Sequence, residues 1–131
     1  MFLFRQTLVE YEKGNTEYVN LLTNNIVCFV PALNIDSYEH TFRIYQEKKK
    51  FFAIRRNRND HIKCEKFGFY GVDLNRNFDY CWNIQNSGSS DDPCEYNYRG
   101  VGAFSEPETQ AIKSFVEEYQ SSLKVVVNIH W

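Results

Sequence analysis

The sequence predicts an α/β layered fold, and three observations carry that prediction. Two runs of β-branched and apolar residues, 26–30 and 123–129, read as buried strands. Behind Ser105-Glu106-Pro107-Glu108, the residues Ala111, Ile112, Phe115, Val116 and Tyr119 recur at the spacing of one helix face. Helix, strand, long loop, helix and strand then alternate along the chain, as in layered α/β domains.

The elements follow in order. Residues 2–11 carry Phe2, Leu3, Leu8, Val9 and Tyr11 in a loosely helical pattern. Gly14-Asn15 stops it, and Asn15 or Thr16 restarts a short helix through Tyr18, Val19, Leu21 and Leu22. Thr23-Asn24-Asn25 breaks that helix. The run 26–30 is closed by Pro31 and reads as a strand with Cys28 as a small buried hydrophobe. Asn34-Ile35-Asp36-Ser37 reads as a turn, and the charge density of residues 46–60 as an exposed stretch. Residues 83–93 are rich in Ser, Asn, Asp and Gly without periodicity and form a loop. Ser105 is the expected N-cap of the last helix, with Pro107 in its first turn and Glu108 completing a capping box. Three consecutive valines mark the final strand, followed by His130 and Trp131.

Composition narrows the class of function. Hydrophobic residues at 43% and charged residues at 24% indicate a globular chain rather than a disordered one, and 131 residues suit a single domain. A net charge of −2 gives no reason to expect nucleic acid as a partner. No apolar run approaches the roughly 20 residues that span a bilayer, so no membrane partner is expected. The apolar start is interrupted by Arg5 and lacks a basic leader, so it does not read as a signal peptide.

The chemistry concentrates in residues 71–78, Gly-Val-Asp-Leu-Asn-Arg-Asn-Phe. One guanidinium flanked by two amides suits a carboxylate, because arginine offers a planar fork matching its two oxygens and an amide adds a donor. Arg76 could instead be a buried residue paired with Asp73 or Asp79. Arg55, Arg56 and Arg58, with residues 48–50, could form a solvated basic face. His130 on an apolar strand could be an ordinary core histidine. His61, Cys64, Cys81 and Cys94 could hold a structural zinc, or all four cysteines could be reduced thiols.

Residues 71–78 closely resemble the signature of the zinc carboxypeptidases of the A/B type. Arg55-Arg56-Asn57-Arg58 is similar to a second family segment. Residues 26–31 with 34–37 resemble its strand and turn, departing at Ile35 and Ser37. Asp92-Pro93-Cys94, Tyr98-Arg99-Gly100, residues 104–109 and residues 127–130 follow in family order. The resemblance covers nearly the whole chain. It implies a partial three-layer α/β/α carboxypeptidase-like fold with a mixed central sheet, truncated at both ends, so that residues 1–131 make one partial catalytic domain.

The activity implied is hydrolysis of C-terminal peptide bonds, in which zinc polarises the scissile carbonyl and activates water. Carried over by position, His130 is the last zinc ligand and Arg55 stabilises the oxyanion. Asn75 and Arg76 hold the terminal carboxylate of a peptide or protein substrate. Cys64 and Cys94 fall where the family commonly has a disulfide, which implies an extracellular or secretory parent. The family's His-x-x-Glu zinc motif is absent from the sequence, and its catalytic glutamate lies beyond the last zinc histidine. The chain alone is therefore expected to be inactive. The alternative expectation is a non-catalytic carboxylate-binding remnant or interaction domain.

Overall fold

The computed structural model describes residues 2–52, 54–84 and 88–129. They form two compact units, one ending at Leu33 and the other beginning at Asn34. In the first, α1 (Phe2–Glu12) packs on α2 (Thr16–Asn24). Gly14 takes a left-handed φ of 73°, which ends α1 and turns the chain. Asn15 then caps α2, its Oδ1 accepting from Glu17 N at 3.1 Å. Phe4 meets Phe29 edge-on at 5.1 Å between centroids.

The second unit opens with α3 (Ile35–Lys48), where the sequence reading placed a turn. Asn34 is its N-cap, with Oδ1 accepting from Ser37 N at 3.3 Å. Asp36 in the first turn and Lys48 in the last complement the helix dipole. Short polar residues that signal a turn also signal a cap, and here the cap wins. The same residues tie α3 to the segment that follows: Asn34 Nδ2 donates to Arg55 O at 3.0 Å, and Ser37 Oγ donates to Arg56 O.

Strands β1 (Lys63–Cys64) and β2 (Phe69–Tyr70) form a small antiparallel hairpin, pairing Lys63 with Tyr70 and Cys64 with Phe69. A 3-10 turn (Leu74–Arg76) and α4 (Pro107–Tyr119) complete the element list. Among the described residues, β structure is this hairpin plus two isolated bridges, Arg56 with Asp73 and Ser90 with Tyr98. No central mixed sheet forms among them.

The two predicted strands are therefore corrected. Residues 26–30 and 123–129 are assigned to no strand, and Ile26 is 91% exposed and Val127 75% exposed. Cys28 is exposed rather than buried. β-branched composition supplies propensity only; a strand also needs a neighbour to pair its N–H and C=O groups. The result is a mostly helical chain, consistent with a portion of an α/β/α fold.

The core of the second unit is small and unusually polar. Val72, Leu74, Cys64 and Tyr98 are buried together with Arg56, Asn57, Asp73, Asn77, Glu106 and Thr109. The expectation that residues 46–60 are exposed fails at Arg56 and Asn57. Cys64 and Cys94 are joined in a disulfide across 30 residues of sequence. Reducing it, or making Cys94→Ser, is expected to lower the unfolding free energy by roughly 3–4 kcal/mol, because the unfolded chain loses a loop restraint. Urea melts with and without reductant measure this, and coincident midpoints would refute it.

Candidate functional site

The order Asn-Arg-Asn occurs twice, at residues 57–59 and 75–77, and the two copies are built against each other. Asn57 N donates to Val72 O and Val72 N donates to Asn57 Oδ1, both at 2.8 Å. On the far side of the same extended segment, Asp73 N donates to Tyr98 O at 2.9 Å. The backbone leading into the second copy is thus held from two directions.

Asp73 makes the next link. It is buried, and its Oδ1 accepts from Asn75 N at 3.1 Å, capping the 3-10 turn. Its Oδ2 accepts from Arg55 Nε at 2.9 Å. One carboxylate therefore fixes both the turn carrying Asn75 and Arg76 and the stem of the Arg55 guanidinium. Among the described residues, the terminal nitrogens of Arg55 make no other hydrogen bond, and its side chain is half exposed. That geometry presents a cationic fork to an incoming oxygen.

Arg76 is half-buried, with Nε donating to Gly88 O at 3.1 Å and Nη1 to Asn75 O at 3.3 Å. It does not pair with Asp73, whose carboxylate is taken by Arg55 and the Asn75 amide. Asn75 and Arg76 share a pocket of about 140 Å³ with Phe78, Tyr80, Cys81, Trp82 and Ser89. Backbone carbonyls hold the guanidinium in place, and no carboxylate among the described residues is paired with it.

Asn77 is fully buried and anchors the turn. Its Nδ2 donates to Arg99 O, Gly102 O and Ser105 Oγ at 2.9, 3.0 and 2.8 Å. Its Oδ1 accepts from Glu106 N at 3.2 Å and Thr109 Oγ1 at 2.6 Å. This arrangement displaces the expected cap of α4. The N-cap is Glu106, without a side-chain cap bond, and Ser105 Oγ donates instead to Glu106 Oε1 at 2.8 Å. Asn77 satisfies the helix start in place of a local cap.

Arg56 is buried, which removes it from any solvated basic face. Its Nε and Nη2 donate to Gly71 O, and its Nη1 donates to Pro93 O at 2.8 Å and Glu95 O at 3.4 Å. Burial pulls its pKa down, opposed by Tyr98 and Asp73. Burial likewise pushes Tyr98 up, opposed chiefly by Arg56, whose guanidinium lies 5.6 Å from the ring centre. Arg58 lies 4.9 Å over the Tyr70 ring.

Zinc was the cofactor implied by resemblance. His130, its expected ligand, lies outside the described residues. Among those described, no three His, Cys, Asp or Glu side chains come together as a ligand set. The buried carboxylates are engaged otherwise, Asp73 by Arg55 and Glu106 by Asn57, Asn59 and Ser105. The described residues therefore do not fit a zinc ion. The structural-zinc alternative at His61, Cys64, Cys81 and Cys94 is also corrected, since two of its sulfurs are bonded to each other. Cys81 is an exposed free thiol.

Sequence reasoning missed Asp73, Asn57, Asn77 and Glu106 as the framework of this region. The signal available was the repeated Asn-Arg-Asn itself, because amides between apolar residues must find partners when buried.

Residues 1–131 match the model of the zinc carboxypeptidase family. Mast cell carboxypeptidase A of Homo sapiens is 35% identical over 102 residues, covering 77% of this chain and 22% of that protein. Carboxypeptidase O of Bos taurus is 32% identical over 126 residues, covering 96% of this chain and 30% of that protein. A crystal structure of the carboxypeptidase A from Helicoverpa armigera superposes with a TM-score of 0.52 at 35% identity, covering 68% of this chain and 19% of that one. The chain thus spans between about a fifth and a third of the length of these proteins. A match along all 131 residues, on a chain whose Asn75-Arg76 turn is locked by buried polar groups, makes it a member of the zinc carboxypeptidase family.

Proposed function

We propose that this chain supplies the substrate-gripping part of a zinc carboxypeptidase catalytic domain, and that the parent protein hydrolyses the C-terminal peptide bond of peptides or proteins. The observation that carries the reading is the shared pocket of Asn75 and Arg76, on a turn fixed by Asp73 and Asn77. Arg76 would bind the terminal carboxylate through its fork, with the Asn75 amide as a further donor. Arg55, held at Nε by Asp73, would present its terminal nitrogens to the oxyanion of the tetrahedral intermediate. Zinc, when bound in the parent, would supply Lewis-acid activation of water. His130 is the residue here that would contribute to holding it.

The isolated chain is expected to release no free amino acid from a peptide. Chelator-sensitive release by purified chain would overturn that expectation. The grip is tested separately, by titrating acetyl-glycyl-leucine and its C-terminal amide while reading Trp82 fluorescence in a Trp131→Phe background. The acid is expected to bind at least about tenfold more tightly than the amide, the usual worth of a charge-assisted bond, and Arg76→Ala to abolish the difference. Equal binding of acid and amide would remove the reading. A chain that grips without cutting matches the carboxylate-binding alternative as well, because the pocket does not depend on a metal. The Cys64–Cys94 bridge supports placing the parent in an oxidising, secretory compartment.

A further inference from the structure

Glu106 is 1% exposed, yet its carboxylate faces neutral donors. Oε2 accepts from Asn57 Nδ2 at 2.8 Å and from Asn59 Nδ2 at 2.9 Å. Oε1 accepts from Ser105 Oγ at 2.8 Å, and the Glu106 backbone N–H donates to Asn77 Oδ1 at 3.2 Å. One residue at the start of α4 therefore touches both Asn-Arg-Asn copies. Through its side chain it holds the stretch that begins at Arg55. Through its backbone it holds the residue directly after Arg76.

We propose that Glu106 is a positioning residue: it sets the spacing between the Arg55 segment and the Asn75-Arg76 turn, and so sets the preference for a free carboxylate. The proposal rests on the reading of Arg76 as the carboxylate-binding group. A buried carboxylate is costly to leave in place, and simple packing would be served by an apolar side chain of similar volume. Its three donors come from elements separated by 40 and more residues on one side and by one residue on the other, so their common acceptor defines a distance between segments. Gln can reproduce this geometry. Its carbonyl oxygen can accept from both asparagines, and its amide can donate to Ser105 Oγ once that hydroxyl turns. Ala cannot.

The test is the ratio of affinities for acetyl-glycyl-leucine and its amide, read on Trp82 in the full chain with Trp131→Phe. Loss of folded protein lowers both affinities together, whereas a displaced guanidinium lowers only that for the acid. Glu106→Ala is expected to reduce the ratio about tenfold or more, and Glu106→Gln to keep it within about threefold of the parent. A folded Glu106→Ala variant with an unchanged ratio would overturn the proposal while leaving the carboxylate reading intact. So would a folded Glu106→Gln variant that fails to rescue. No acid preference in the parent itself would remove both together. If Glu106→Ala does not fold, Asn59→Ala takes its place, removing one of the two amide donors from a half-buried site. A reduction of about threefold then supports the proposal, and an unchanged ratio overturns it.

Discussion

Gly71→Ala is expected to destabilise the second unit by about 3–5 kcal/mol, combining left-handed strain with overpacking. Gly71 sits at φ 73°, and a Cβ there would overlap the carbonyl oxygen and Oδ1 of Asn57 and lie 2.7 Å from its carbonyl carbon. Those atoms cannot retreat cheaply. Asn57 Oδ1 accepts from Val72 N, its backbone N–H donates to Val72 O, and its Nδ2 reaches Glu106. Gly68 is the internal control: it has φ 64° with nothing within 4 Å of an added Cβ. Gly68→Ala should therefore cost only the backbone term, about 1 kcal/mol. Urea unfolding of both variants separates the two contributions. Equal midpoints for Gly68→Ala and Gly71→Ala would show that close approach to Asn57 does not matter.

Asn77→Ala is the second large effect. It strips partners from the carbonyls of Arg99 and Gly102, from Ser105 Oγ, from the Glu106 N–H and from the Thr109 hydroxyl. The buried Glu106 N–H loses its partner at about 1–3 kcal/mol, while the other four keep a second bond, to Trp82 Nε1, Ser105 N, Glu106 Oε1 and Glu106 O, and lose one hydrogen bond each, so the total should be about 3 kcal/mol. Asn77→Asp should be no better, since a carboxylate oxygen would then face two carbonyls in place of the amide N–H groups. The adjacent Arg76 turn should loosen with it, so acid-over-amide selectivity should fall before the unit unfolds. A midpoint shift worth under about 1 kcal/mol would contradict this account.

These two positions show what the sequence could and could not disclose. The motif at residues 71–78 stood out as a guanidinium between two amides, but the same order at residues 57–59, where both asparagines hold Glu106 and Arg58 lies over the Tyr70 ring, shows that the triplet alone does not name a ligand. Helices α1, α2 and α4 were legible from apolar spacing and from Gly14, Asn15 and Pro107. The start of α3 was misread because Asn34 and Asp36 serve turns and helix caps alike, and the choice depends on Arg55 and Arg56 carbonyls far along the chain. The two β-branched runs were read from propensity, which says nothing about whether a partner lies alongside. The polar framework was invisible for a related reason. Asn57, Asp73, Asn77 and Glu106 are ordinary surface residues by type, and only contacts across tens of residues turn them into a core.

Arg56 has a consequence for the loop that the sulfur bridge secures. Its guanidinium runs from Gly71 O to the carbonyls of Pro93 and Glu95, the residues on either side of Cys94, and so crosses the same gap as the Cys64–Cys94 bond. The two fasteners fail under different conditions. Thiol reagents cut one and leave the other, while these Arg56 hydrogen bonds end on the backbone carbonyls of Gly71, Pro93 and Glu95, which acid does not titrate. A glutathione-rich milieu would make unfolding easier without setting the folded loop adrift. Shape retained after reduction is thus no guide to which cellular compartment the molecule came from.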